Sequence, residues 1–271
     1  MTATDIPAVN GLARAQGWRD RTTFLEFVLR VPTSQPLVAI ADGRLVAGGV
    51  ATAAGPVGWI GGIVVAEEFR RRGLGRAITD ELIGRLHAAG CVTVSLEATD
   101  AGRLLYEAMG FRIETWYHQL QADHIDRAPQ PPQGSRVREL TPDDLPAVCI
   151  LDREATGEDR SAAIEVMSES RGWVLERESS VAGFLLPTER AHGLIIAPRF
   201  EDGLFLLDLH RSVAPRGAHV RAGVPHEHEA AWRELQARGW VETWRAPRML
   251  LGPSVPWRPE WIWGQINSAM G

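Results

Sequence analysis

The sequence predicts an α/β protein built from two copies of one mixed-sheet unit. Three observations support this prediction. Helical and strand-like segments alternate along the first half, a proline-rich stretch interrupts the chain near its middle, and the second half repeats the order of the first. Alternating helices and strands are typical of a sheet that is flanked by helices.

The first half is predicted to begin with a helix and to end with a strand. Asp5 is a preferred N-cap residue, and the helix that follows it ends before Gly17. The turn dipeptide Asp42-Gly43 joins two strands into a hairpin. We predict helices at 5–16, 24–29, 74–89 and 101–109, and strands at 37–41, 45–51, 59–65, 92–96 and 112–120.

A proline-rich stretch at 127–134 (RAPQPPQG) can neither join a sheet nor continue a helix. The halves on either side of it repeat short motifs in the same order. DIPAV at 5–9 recurs as DLPAV at 144–148, and Gly110-Phe111 recurs as Gly239-Trp240. Matches in register indicate a duplicated domain. We predict a first domain at 1–126, a linker at 127–135 and a second domain at 136–271.

The second half repeats the element order with one difference at its start. We predict strands at 137–139, 174–178, 181–186, 194–197, 218–224 and 243–251, and helices at 142–154, 160–167, 203–210 and 227–236. The counterpart of the strand at 137–139 would lie before Met1. The first domain is therefore expected to lack its opening strand, because the true start lies upstream or because another segment supplies the strand.

Composition and charge exclude several classes of function. The net charge of -5 gives no electrostatic reason to expect nucleic acid or an anionic membrane as a partner. No run of about 18 apolar residues could span a bilayer, and the start of the chain lacks the basic and apolar regions of a secretory signal. We therefore expect a cytoplasmic protein.

The inventory of reactive side chains excludes further chemistries. Every cationic side chain besides histidine is Arg, so no lysine can form a Schiff base. Cys91 and Cys149 lie in apolar runs, which favours buried thiols over a disulfide or a reactive thiol. His226 and His228 have no third ligand nearby in the sequence, so we predict no metal site.

A glycine- and arginine-rich loop precedes the long helix of the first half. Gly73 and Gly75 lie where this loop enters the helix, which lets a ligand approach the unpaired N–H groups of the first turn. Arg70, Arg71 and Arg72 add positive charge for phosphates. The simpler alternative is that these arginines are solvated and that the glycines only form a turn. The loop is no Walker motif, because it has no lysine.

The motif around this loop and the motif around a later tyrosine, with their spacing, resemble those of a known family. The first half resembles the GNAT superfamily of acyl-CoA N-acyltransferases in the order of its motifs. A strand leads into Val65-x3-Phe69-Arg70-x2-Gly73-Leu74-Gly75, and a helix and a strand then precede Leu105-Tyr106-x3-Gly110-Phe111. The second half resembles a degenerate GNAT domain, so the whole chain is similar to tandem-GNAT proteins.

The resemblance implies an acetyl-CoA site in the first half. Backbone groups of Ile63, Val64 and Val65 would pair with the pantetheine arm, and Tyr106 would place its hydroxyl near the thioester sulfur. Thr99 stands where the family often has Asn. The backbone N–H groups that would hold the pyrophosphate belong to Arg71, Arg72, Gly73, Leu74, Gly75 and Arg76.

The residue types fit attack of an amine on a thioester. Tyr106 could protonate the leaving sulfur as a general acid, and a backbone N–H near Val64 or Val65 could stabilise the oxyanion. Glu97 is the first candidate for the base that deprotonates the amine. The structural alternatives are a core aromatic for Tyr106 and a solvated strand-end carboxylate for Glu97.

The second half departs from the motif at each decisive position. The run at 197–203 (APRFEDG) replaces the arginine-glycine loop, and Leu235 stands in the place of Tyr106. We therefore expect no productive CoA binding by the second half. Trp18 and Phe24 lie on the segment that borders the acceptor groove in this superfamily, where they could line the substrate pocket.

These patterns predict an N-acetyltransferase that transfers the acetyl group of acetyl-CoA directly to a primary amine in a ternary complex. The sequence does not name the acceptor: a small-molecule amine is the first expectation, and an antibiotic, a polyamine, an amino acid and a protein N-terminus all stay open. The protein is expected to be a monomer or homodimer. The alternative is a non-catalytic acyl-CoA-binding or regulatory protein that kept the cofactor loop.

Overall fold

A computed structural model describes residues 1–188 and 191–271 of the chain. The chain divides into two compact units. Unit 1 contains Met1–Arg112, Leu250–Pro253 and Ser268–Met270, and unit 2 contains Ile113–Met249, Ser254–Asn267 and Gly271. The mixed α/β architecture that the sequence predicts is confirmed, with helices and both parallel and antiparallel strand pairs.

Unit 1 begins with two helices and a hairpin, as the sequence predicts. The helices are α1 (Ile6–Ala15) and α2 (Thr22–Arg30), and the hairpin joins β1 (Ser34–Ala41) to β2 (Arg44–Ala54). Asp42 and Gly43 have φ of 49° and 73°. Positive φ at both central residues matches the right-handed twist of the flanking strands, which is why this dipeptide forms the turn.

The start of α1 differs in detail from the sequence prediction. Asp5 stands at the N-cap, but its carboxylate accepts a hydrogen bond from the backbone N–H of Thr2 at 2.7 Å and caps no helical N–H. Asp144 does the same with Thr141 in the second half, at 2.8 Å. The repeated DxPAV motif therefore encodes a 3-10 turn that leads into a helix in each half.

Unit 1 continues with the elements that carry the glycine-rich loop. They are β3 (Val57–Val65), α3 (Leu74–Ala88), β4 (Thr93–Glu97) and α4 (Asp100–Ala108). Helix α3 packs on the sheet through Leu82 and Leu86, which are fully buried. A Cβ at Gly58 would lie 2.5 Å from the Leu86 side chain. Glycine at this position therefore allows close approach of the helix to the strand.

The last predicted strand of the first half lies in unit 2. This strand, β5 (Arg112–Asp123), pairs antiparallel with β10 (His219–Pro225), and β11 (Val241–Leu251) lies on its other side. The first continuous segment of unit 1 thus ends at Arg112, because the partners of β5 come from later in the chain. The predicted boundaries at 126 and 136 follow the sequence repeat and stay a prediction.

Unit 2 also contains a five-stranded sheet. Its strand order is β12-β9-β8-β7-β6, with antiparallel neighbours throughout. The strands are β6 (Arg136–Glu139), β7 (Trp173–Arg177), β8 (Ser180–Pro187), β9 (Gly193–Ile196) and β12 (Ile262–Gly264). The helices are α5 (Leu145–Thr156), α6 (Ser161–Ser168), α7 (Phe200–Val213) and α8 (Glu229–Ala237). Strand β12 was not predicted from the sequence.

The first half lacks the opening strand that β6 provides in the second. Residues Ala3–Asp5 form a 3-10 turn that leads directly into α1, and β1 is an edge strand of its sheet. Within the described residues, no other segment supplies the missing strand. In the same part of the chain, no helix has the length and apolar character needed to cross a membrane.

Candidate active site

A bulge interrupts β3 in unit 1. Gly48 pairs with Val64 and Val50 pairs with Gly61, so Gly49 lies opposite two residues of β3. The first of these, Gly62, has a φ of 62°. A glycine with positive φ is the residue that such a bulge requires, and bulges re-aim backbone groups beside functional sites. The Gly-Gly pair inside a predicted strand is the sequence signal that could have revealed it.

Strands β3 and β4 pair over only part of their length. Their parallel register runs from Val57 to Trp59 and ends where Trp59 meets Ser95. Strand β3 continues to Val65, so its edge beyond Trp59 has no strand partner in the described residues. Backbone N–H and C=O groups along such an edge can pair with an extended ligand chain.

The residues predicted to bind pantetheine lie on this edge, immediately after the bulge. The Val64 side chain is buried in a cluster with Val9 and Leu25, which fixes the end of the strand. The carbonyl oxygen of Val65 accepts hydrogen bonds at 3.2 Å from both Gln16 Nε2 and Arg70 Nε. Because both lone pairs of that carbonyl are used, Ile63 and Val64 are the better candidates to pair with a ligand.

The loop after β3 ends at an exposed helix N-terminus. Arg71 and Gly73 have φ of 57° and 82°, and the helical bonding of α3 begins with the N–H of Ala77 donating to the carbonyl of Gly73. The N–H groups of Leu74, Gly75 and Arg76 therefore have no acceptor within the helix. No described side chain caps this end, because the N-cap residue is glycine.

This helix start has the features of a phosphate site. Its unpaired N–H groups and the positive end of the α3 dipole both favour an anion. A Cβ at Gly75 would lie 3.7 Å from Leu105 and 3.9 Å from Val65, which is ordinary contact. Packing within the protein thus tolerates a side chain at Gly75. The lack of a side chain at Gly75 instead allows a ligand to approach the backbone closely.

The arginines of the loop are exposed, but several are held by local contacts. Arg70 donates to the Val65 carbonyl, Arg72 lies 5.6 Å from the centre of the Phe69 ring, and Arg76 lies 3.7 Å from the Asp80 carboxylate. Arg70 therefore orders the loop against the end of β3. Its predicted phosphate contact and those of Arg71 and Arg72 stay predictions.

Tyr106 is held in a defined position on α4. Its ring lies over Gly102, where a Cβ would be 3.0 Å from Cε2, and meets Phe111 edge-on at 5.8 Å. Burial raises the pKa of the Tyr106 hydroxyl to about 12. The hydroxyl therefore stays protonated at neutral pH and is available as a proton donor.

Thr99 and Glu97 stand between β4 and α4. The Thr99 hydroxyl oxygen accepts a hydrogen bond from Gly102 N–H at 3.2 Å, so Thr99 caps the helix that carries Tyr106. Its hydroxyl hydrogen remains available to a ligand. Glu97 is the last residue of β4 and is half-buried. Its role as the base stays a prediction.

In unit 2 the equivalent edge is filled by the chain itself. Strand β12 pairs with the edge of β9 that corresponds to the open edge of β3. The carbonyl oxygen of Trp261 accepts a hydrogen bond from the Ala197 N–H. The Trp263 indole donates to the Ala197 carbonyl at 3.2 Å, and its ring lies 1.9 Å from the position of a Cβ on Gly203. Trp263 therefore covers the start of α7, which follows β9 as α3 follows β3.

The bulged strand, its open edge and the uncapped helix are features of an acyl-CoA-dependent acyltransferase domain. Two family models match the chain: the acetyltransferase (GNAT) family over residues 10–111 and an acetyltransferase (GNAT) domain over residues 148–264. The chain belongs to the GNAT acetyltransferase family, with two such domains in tandem.

A curated relative supports the same family assignment. The [ribosomal protein bS18]-alanine N-acetyltransferase of Salmonella typhimurium is 33% identical over 121 residues, which cover 42% of this chain and 80% of the relative. The Tyr106 and glycine-loop motifs both lie within the family match at 10–111.

Solved structures share the fold along nearly the whole chain. An acetyltransferase-like structure from Pyrococcus horikoshii superposes with a TM-score of 0.83 at 20% identity and covers 100% of this chain and 94% of its own. A tandem GNAT protein from the clavulanic acid biosynthesis pathway gives a TM-score of 0.64 at 18% identity, covering 94% and 98%. At these identities the likeness concerns the fold alone.

Proposed function

We propose that unit 1 transfers the acetyl group of acetyl-CoA to a primary amine, and that the amine is the N-terminal α-amine of a peptide or protein. One observation supports the part of this proposal that concerns binding of the acetyl donor, acetyl-CoA. The open edge of β3 is joined to the uncapped start of α3 by the short loop at 66–73, which supports binding of an extended arm and an anionic group of one molecule.

The reaction proposed is direct transfer within a ternary complex. The amine nitrogen attacks the thioester carbonyl, a C–N bond forms, the C–S bond breaks, and the sulfur leaves as a thiolate that takes a proton from Tyr106. A backbone N–H beside the β3 bulge stabilises the negative charge on the carbonyl oxygen. Glu97 accepts the proton of the amine, directly or through water.

The choice of acceptor rests on the curated relative. That enzyme is named for acetylation of an alanine of ribosomal protein bS18. A free α-amine has a pKa of about 8, compared with about 10 for a lysine side chain, so an α-amine needs less help from a base at neutral pH. An α-amine acceptor therefore fits a site whose candidate base is one half-buried carboxylate.

In this proposal the second half is a scaffold that binds no CoA. Its β9 edge is paired with β12, and Trp263 covers the start of α7. Leu235, which stands in the place of Tyr106, is buried in the core of unit 2 and has no proton to donate.

An acetylation assay with peptide amines tests the function. Purified protein and acetyl-CoA are incubated with peptides that begin with glycine, alanine or serine, and with the same peptides blocked at the N-terminus but carrying an internal lysine. We expect a mass increase of one acetyl group on the free α-amines and at least tenfold slower modification of the lysine peptides. Acetyl-CoA binding without modification of any amine would instead support the non-catalytic acyl-CoA-binding alternative.

A further inference from the structure

The outer edge of β1 is the place where the first half lacks its opening strand. Within the described residues, no strand pairs with this edge, whereas β7 in the second half is covered by β6. The two halves share one hydrogen bond at this place. The backbone nitrogen of Met1 donates to the Pro36 carbonyl at 3.1 Å, and the Leu140 N–H donates to the Gly172 carbonyl, just before β7, at 2.9 Å. Met1 and Leu140 thus occupy equivalent positions, and β1 is open beyond Pro36.

The alternation of the strand shows which backbone groups of β1 face this open edge. Neighbouring residues of an antiparallel strand direct their N–H and C=O groups to opposite edges. The Pro36 carbonyl points outward, to Met1. The groups of Val38 and Ile40 therefore point outward as well, while those of Ala39 face β2. Val38 and Ile40 thus present two N–H donors and two C=O acceptors along the open edge.

The side chains along β1 define the kind of strand that fits this edge. In the second half, β6 binds β7 partly through ion pairs of two arginines with Glu176. Ile40 stands in the place of Glu176 in the repeat and is 66% exposed. The whole of β1 (SQPLVAIA) has no charged residue. A strand that carries arginines, as β6 does, would find no opposite charge here, so the edge fits an uncharged, apolar strand.

We propose that β1 pairs with β1 of a second copy of this chain, antiparallel and around a two-fold axis at Ala39. In this register Val38 of each copy faces Ile40 of the other, and each of these two pairs exchanges both of its backbone hydrogen bonds. The β-branched side chains of Val38 and Ile40 lie opposite each other on one face of the joined sheet, which covers the exposed Ile40. The contact is self-complementary, as a two-fold interface requires.

The paired segment is short, so the dimer is weak and reversible. Pro36 has no N–H, and Asp42 begins the hairpin turn with a φ of 49°, so pairing is limited to residues 37–41. This is far fewer than the roughly 20–30 residues that each partner contributes to a standard interface. We therefore expect a Kd for self-association of about 1–100 µM.

Sedimentation velocity of the full chain tests the pairing. A concentration range of about 1–200 µM covers the expected Kd. The sedimentation coefficient of the wild type should rise from that of a monomer to that of a dimer, whereas Ile40→Lys should stay monomeric, because a lysine on an edge strand opposes pairing. The control is Val92→Lys. Val92 is 58% exposed in unit 1 and lies outside β1, so this variant should dimerise as the wild type does.

A cysteine at the two-fold axis tests the register. The two Ala39 residues form a non-hydrogen-bonded pair with Cα atoms about 4.5 Å apart, which is within the range of a disulfide. Cys91 is buried, and Cys149 is replaced by alanine to remove the more accessible native thiol. In this background, Ala39→Cys should give a disulfide-linked dimer under mild oxidation, whereas Val92→Cys should stay a monomer.

Three results would overturn the proposal. The first is a wild type that stays monomeric at about 200 µM, above the expected Kd. The second is equal dimerisation of Ile40→Lys and Val92→Lys, and the third is crosslinking of Val92→Cys as fast as that of Ala39→Cys. None of these results bears on acetyl-CoA binding, because β1 carries none of the residues assigned to the donor site.

Discussion

Replacement of Tyr106 by phenylalanine is expected to lower kcat about 100-fold while the Kd for acetyl-CoA changes less than twofold. General acid catalysis contributes about 10²- to 10⁴-fold, and this variant removes only the proton donor. The phenyl ring keeps the contacts with Gly102 and Phe111, so the fold of α4 is preserved. Steady-state kinetics with a peptide acceptor and calorimetry with acetyl-CoA measure the two quantities.

Tyr117 provides a matched control, since it is the other tyrosine of the chain and is buried in β5. Tyr117→Phe is expected to leave kcat within about threefold of the wild type. Because burial raises the pKa of Tyr106 to about 12, the hydroxyl stays protonated up to about pH 11. The wild-type rate should therefore show no decline from tyrosine ionisation between pH 7 and pH 10. An unchanged kcat in Tyr106→Phe would make Tyr106 a packing residue only.

The second large effect is expected on stability. Trp263→Ala should lower the free energy of unfolding by about 3–5 kcal/mol, the range typical of a buried aromatic residue that is cut back to alanine. Trp263 is fully buried, donates to the Ala197 carbonyl and fills the space over Gly203. The variant leaves both a cavity and an unpaired carbonyl at the start of α7. Urea unfolding followed by fluorescence measures the change.

Trp261 is the matched control for this stability prediction. It lies two residues earlier, is half-buried and joins β9 through its backbone carbonyl, which substitution retains. Trp261→Ala should therefore cost about 1 kcal/mol, near the centre of the range for point substitutions. Equal losses in the two variants would mean that the Trp263 side chain does not hold β12 on β9.

Local patterns in the sequence predicted most of the fold. The hairpin at Asp42-Gly43 and the helix after Gly73 follow from turn chemistry and from the spacing of Ile78, Leu82 and Leu86. Strand β12 was missed because a segment of three residues is too short to show the alternation of side chains by which a strand is recognised. Its strand character depends on β9, which lies more than sixty residues earlier, and no local propensity reports such a partner.

The site could be predicted only as far as its motifs reach. The glycine loop and Tyr106 have fixed spacing, so their positions were clear from the sequence. Gln16 contacts β3 through long-range packing, which leaves no local signal. The ligand contact assigned to Thr99 stays a prediction. In the structure its oxygen also caps α4, a role that its place before Asp100 could have indicated.

The central claim is that unit 1 binds acetyl-CoA at the start of α3. Calorimetric titration of acetyl-CoA into the wild type and into the double variant Gly73→Glu, Gly75→Glu tests this claim most directly. Two carboxylates at the helix start would repel the pyrophosphate and fill the space beside the N–H groups. The control, Gly11→Glu with Gly84→Glu, adds the same charge at two helical glycines that have nothing within 4 Å.

We predict one acetyl-CoA site in the wild type and in the control, and no measurable binding in the Gly73→Glu, Gly75→Glu variant, provided that all three proteins show the same circular dichroism. Absence of binding to the wild type, or equal binding to all three proteins, would contradict the assignment of the donor site to the start of α3.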